Sequence, residues 1–191
     1  MNCTGLKRLY LEGRWFSLPT FFRACECCRD IKLKWLTLTD QRSYQEDISN
    51  PIYREFMKDM MPYCIKVIEK PETWYGQNAT DCKVYVFLYE KEVLSNLKKY
   101  TIDLLMQDCT IAGQSSIPQD LNLFRDDGWL FLGTVSHEYI ADIFLRENET
   151  ITNERLEDLF FDNIESKELI LPEGFLPAPV LMSPTNILEY L

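Results

Sequence analysis

Val84-Tyr85-Val86-Phe87-Leu88-Tyr89 is the most apolar extended stretch of the chain, and residues 91–106 follow it with Val93, Leu94, Leu97, Ile102, Leu104 and Leu105 at helical spacing. Because 84–89 is apolar on both alternations, it reads as a central strand covered on two faces. A second strand–helix pairing is expected at 129–147, where an apolar strand runs to Val135 and Ser136 offers a cap for a helix reaching about Glu147.

Working outward, residues 9–16 read as a strand, and Ser17, Pro19 and Thr20 open a helix to about Arg29 with Phe21, Phe22, Cys25 and Cys28 on its buried stripe. Residues 31–39 form a strand rich in Leu, Trp and Thr. Asn50-Pro51 starts a helix whose stripe is Ile52, Tyr53, Phe56, Met57 and Met60, and Pro62 stops it. A strand over 63–69, a loop over 72–81 and a polar connection over 107–120 follow from the placement of Pro, Gly, Ser and Asn. Arg125-Asp126-Asp127-Gly128 reads as a turn between strands at 121–124 and 129–135. A last helix is expected from the Thr152 cap to Glu165, then a short strand at 168–171 and an extended tail carrying Pro172, Pro177, Pro179 and Pro184.

Strands and helices therefore interleave. The expected architecture is α+β, a mixed sheet with helices on one or both faces, with α/β as the alternative. At 191 residues one core is expected, over 1–171, with 172–191 as the proline-rich tail.

Thirty acidic against twenty basic side chains leave a net charge of −10, which argues against attraction to nucleic acid or to an anionic membrane surface. The first residues carry no apolar run of the length that a signal peptide or a membrane span requires, so a soluble, cytoplasmic protein is the expectation. Seven cysteines, an odd count, fit reduced thiols better than a complete disulfide framework. The Asn-X-Thr triplets at Asn2, Asn78 and Asn148 are discounted on the same ground.

One histidine, His137, rules out a two-histidine metal site, and no phosphate-binding glycine loop is present. Cys25-Glu26-Cys27-Cys28 lacks the two separated ligand pairs of structural zinc, so packing accounts for it, and neither metal nor cofactor is expected. The segment Gly113-Gln114-Ser115-Ser116 lacks the second glycine of a nucleophile elbow.

Charge placement is the distinctive feature. Residues 1–137 carry 17 basic and 18 acidic side chains, whereas 138–191 carry 3 and 12. On the expected helix at 153–165, Leu156, Leu159, Phe160 and Ile164 form one apolar arc, with Glu154, Asp158 and Glu165 opposite and Glu157 and Asp162 on the flanks. Phe161 projects onto the acidic side, as an anchor for a basic partner's pocket would. The plainer reading is that Phe161 packs under another part of the chain and the acids are a solvated face.

Two functions follow as expectations. The first is an intracellular protein-binding module of inhibitor, immunity or adaptor type, whose acidic last third engages a basic protein through Glu154, Glu157, Asp158, Phe161, Asp162 and Glu165. The alternative is a hydrolase or transferase with His137 as general acid or base beside Glu138, Asp142 or a cysteine. Salt-sensitive self-association, pairing the basic N-terminal region of one copy with the acidic region of the next, is a third possibility.

Overall fold

A computed structural model describes residues 7–12, 16–26, 30–40, 50–69, 71, 74–75, 82–111, 114–146, 149 and 186–191. In chain order the regular elements are β1 (Lys7–Glu12), α1 (Leu18–Glu26), β2 (Leu33–Asp40), α2 (Pro51–Met60), β3 (Cys64–Glu69), β4 (Lys83–Leu88), α3 (Lys91–Leu97), β5 (Thr110–Ile111), β6 (Gln114–Ser115), β7 (Gln119–Arg125), β8 (Leu130–Val135) and β9 (Ile140–Leu145). Seven of the strands form one sheet in the order β1-β9-β8-β7-β2-β4-β3, and β5 with β6 makes a separate small hairpin. The fold is α+β. Each of the sheet's pairings is antiparallel, where a mixed sheet was expected.

The two faces of the sheet are covered differently. Leu36, Leu38, Tyr85, Phe87, Leu121, Leu123, Leu132 and Ile143 face α1, α2 and α3, which contribute Phe21, Phe22, Phe56, Met60, Val93 and Leu97 to the larger core. On the opposite face Trp35, Val84, Val86, Phe124, Val135 and Phe144 pack with Trp74, Tyr75 and Ile187. Residues 84–87 are buried on both alternations, as their composition requires, and β4 lies between β2 and β3.

Local chemistry sets the element ends. Asn50 caps α2, its Oδ1 accepting from the Ile52 and Tyr53 amides, and Pro51 occupies the first turn, where its missing N–H costs nothing. The Ser17 hydroxyl accepts from the Thr20 amide at the start of α1. Between β7 and β8 the chain turns through Gly128 at φ +86°, a left-handed conformation that a side chain disfavours. Ile187 N–H donates to the Gly128 carbonyl, and Ile187 is buried, so 186–191 packs against the domain.

Two expected helices are corrected. Residues 136–147 do not continue as a helix: Ser136–Glu138 is a single 3-10 turn, Tyr139 ends it at φ +59°, and the chain enters β9. Its alternate residues serve both cores, and β8 and β1 flank it, so pairing on two sides overrides the local capping signal. The helix read over 91–106 stops at Leu97, because Thr101 and Asp103 turn the chain through side-chain hydrogen bonds to the backbone. Ile102, expected in the core, is consequently 52% exposed. The polar connection 107–120 contains a 3-10 turn and the β5–β6 hairpin. Residues 152–165 and 168–171 lie outside the described residues. No helix among the described residues is long and apolar enough to cross a membrane.

Candidate functional site

His137 stands on the 3-10 turn between β8 and β9, with its side chain 58% exposed. Its Nε2 lies 3.9 Å from Glu138 Oε1, beyond hydrogen-bond length, and both groups face solvent. The turn beneath is held by polar contacts, two of them buried: Ser136 N–H donates to Asp120 Oδ1 (2.7 Å) and Asp120 N–H donates to Ser136 Oγ (3.1 Å), while Gln107 Nε2, partly buried, donates to the Ser136 carbonyl (2.5 Å). Met106, Asp120 and Tyr139 all have positive φ, and Gln119 Nε2 donates to the Met106 carbonyl, so the strained residues share this corner of the fold. Asp142, the expected orienting carboxylate, is fully buried in β9, where it accepts a hydrogen bond from the Tyr75 hydroxyl. Of the described cysteines, Cys25, Cys82 and Cys109 are buried and Cys64 is partly so, and burial pushes the Cys64 thiol upward, opposite to the activation a nucleophile needs.

Next to this corner, Asp103 organises the backbone. Its carboxyl accepts from the amides of Phe16 (2.9 Å), Leu105 (3.3 Å) and Gln107 (2.9 Å). Burial nevertheless pushes it up to about 6, with Asp108 adding a smaller push and the three amides opposing. A folded-state value above the unfolded one means that the native state binds more protons between about pH 4 and pH 6, so this group's contribution falls as pH rises through that window. Over about two pH units the change is about 3 kcal/mol. Urea denaturation of wild type and Asp103→Asn at about pH 4 and pH 7 should therefore show the wild type losing that much relative to the variant as pH rises. An equal difference at both values would refute the assignment.

On the sheet face away from the helices, one register row runs Thr37–Asn122–Gly133–Asp142 across β2, β7, β8 and β9. Gly133 is required there because the Tyr75 ring lies directly on it: a Cβ would come 2.5 Å from Tyr75 Cδ1 and closer still to Cε1. Thr37 Oγ1, Thr39 Oγ1, Asn122 Nδ2 and Trp74 Nε1 are buried on this side without a hydrogen-bond partner. Asn122 uses its Oδ1 to accept from the Thr134 amide (3.3 Å). A buried polar group left dry costs about 1–3 kcal/mol, so four of them weigh heavily against the 5–15 kcal/mol on which a whole domain stands.

The outer edge of β3 is the third feature. β3 ends the sheet order, so one side of its backbone has no neighbouring strand among the described residues. Met61 and Tyr63 lead into it with 38% and 37% of their surface exposed, and Ile65 within it is 48% exposed. A register irregularity between Cys64 and Lys66 pushes Ile65 out of the ladder. Lys66 Nζ donates to the Leu191 carbonyl (3.2 Å), which brings a further exposed leucine to the same edge.

The acidic set Glu154, Glu157, Asp158, Phe161, Asp162 and Glu165 lies outside the described residues. Among the described residues no group of three or more His, Cys, Asp or Glu side chains is arranged to hold a metal ion. The β3 edge escapes a reading of the sequence because Tyr63, Ile65 and Val67 alternate with Cys64, Lys66 and Ile68, a pattern that marks a strand without telling its position in the sheet. The Thr37–Asn122 pair leaves no local signal either, since the two residues are far apart in sequence. Comparison of the chain with protein-family models, with curated proteins and with solved structures returned no match.

Proposed function

We propose that this chain is a protein-binding module that takes up an extended, basic segment of a partner protein along the outer edge of β3. The observation carrying the reading is that edge, which has no neighbouring strand among the described residues and lies beside exposed Met61, Tyr63 and Ile65. Open apolar edges invite unwanted pairing, and natural proteins blunt them with charge and bulges. β3 carries Lys66 and the irregularity at Ile65, yet keeps the Ile65 side chain in solvent. Main-chain hydrogen bonds would supply affinity, and Tyr63 and Ile65 the apolar contacts.

The net charge of −10 favours a basic segment and opposes a second copy of this chain. The acidic residues from Glu154 to Glu165 belong to this proposal as the steering charge, which predicts association that slows as salt rises.

The test places a photoreactive amino acid at Tyr63 and, as a control, at exposed Asp126, in full-length protein exposed to native cell extract at low and high salt. The expected result is an adduct at position 63 alone, falling with salt, whose cross-linked peptide is rich in Lys or Arg, and a loss of about tenfold in its yield on Ile65→Lys. Equal labelling at the control position, adducts between two copies of this chain, or no adduct at either salt concentration would each overturn the proposal.

A further inference from the structure

We infer that the sheet face beneath Trp74 and Tyr75 holds a buried hydration site, one or two resident water molecules bound by Thr37, Thr39, Asn122 and Trp74. The register puts Thr37, Thr39 and Asn122 on one face of the sheet, and Trp74 packs over that same face. Thr37 and Asn122 are direct cross-strand partners, and Thr39 follows two residues along the same face of β2. Trp74 packs on Phe124, two residues beyond Asn122, with ring centroids 5.8 Å apart. Tyr75 covers Gly133, the register partner of Asn122 on its other side. Thr37 Oγ1, Thr39 Oγ1, Asn122 Nδ2 and Trp74 Nε1 are the orphaned atoms, and each belongs to a residue no more than 5% exposed.

The chemistry of the set selects the guest. Asn122 Nδ2 and Trp74 Nε1 can only donate, while the two threonine hydroxyls both donate and accept. An anion would share the row with the Asp142 carboxyl and meet no basic residue of Thr37, Asn122, Gly133 or Asp142. A cation would face N–H donors. Water accepts from the nitrogens and donates to the hydroxyls, and a buried water typically makes about three such bonds.

Oxygen-17 magnetic relaxation dispersion counts long-lived internal waters in solution, and thermal denaturation reads their worth. Wild type is compared with Thr37→Val and with Thr37→Val/Thr39→Val, shape-conserving changes that remove only hydroxyls. The expected result is a dispersion amplitude lower by about one water in the double variant, with a midpoint lowered by about 3 °C or more. An unchanged amplitude with a raised midpoint would mean dry, unsatisfied hydroxyls and would overturn the inference. A small molecule retained by wild type in native mass spectrometry, and lost by the double variant, would overturn it in favour of another guest.

Discussion

Replacing Arg125 by methionine is expected to lower the unfolding free energy by about 3–5 kcal/mol, the range for a buried ion pair stripped of one partner. The guanidinium is 2% exposed and makes four hydrogen bonds. Its Nε donates to Glu149 Oε1 (2.6 Å) and one terminal nitrogen donates to Glu149 Oε2 (2.5 Å), a bidentate pair. The other terminal nitrogen donates to the Leu130 carbonyl (2.8 Å), and the Phe144 carbonyl is also bonded. Phe131 lies 5.2 Å from the guanidinium carbon. One side chain thus ties the end of β7 to β8, β9 and Glu149, and its loss leaves a buried carboxylate without its cation and removes the bonds to the Leu130 and Phe144 carbonyls. Urea denaturation should show a lower midpoint at unchanged slope. Glu149→Leu in the Arg125→Met background should recover a substantial part of the loss, because an apolar pair carries no unpaired charge. A loss under about 1 kcal/mol for Arg125→Met would show that solvent reaches the pair.

Gly133→Ala is expected to cost about 2–4 kcal/mol, although alanine suits a strand better than glycine in most positions. The sign is decided by Tyr75. Its ring is 1% exposed, packs edge-on against Phe144 at 6.1 Å and donates its hydroxyl to Asp142, so it cannot swing away from a new Cβ without breaking that bond. In a Tyr75→Ala background the same substitution should be neutral or mildly stabilising, a non-additivity that reports direct contact. Denaturation midpoints of the four proteins check this, and additive effects would refute it.

Much of the fold is legible locally. Asn50-Pro51 announces α2, Asp127-Gly128 announces the β7–β8 turn, and the two-sided apolar run at 84–87 announces an inner strand. Residues 140–145 are the instructive failure. Ile140, Ala141, Ile143 and Phe144 after Ser136 suit a capped helix as well as a strand, and only pairing with β8 and β1 decides between them. The candidate sites divide the same way. His137 is conspicuous in the sequence, while the β3 edge and the Thr37–Asn122 row exist only through strand order and register.

By itself the sequence determined where most strands and helices begin, that the molecule is acidic, and that no motif-borne metal or phosphate chemistry is written into it. Capping, turn geometry and alternation act within a few residues, so they are readable without a partner. Tertiary structure decided which strand lies at the edge, which glycine lies under an aromatic ring and which polar side chains share a buried face. Those properties belong to pairs of residues distant in the chain, and the free energy that selects them arises only when the sheet assembles.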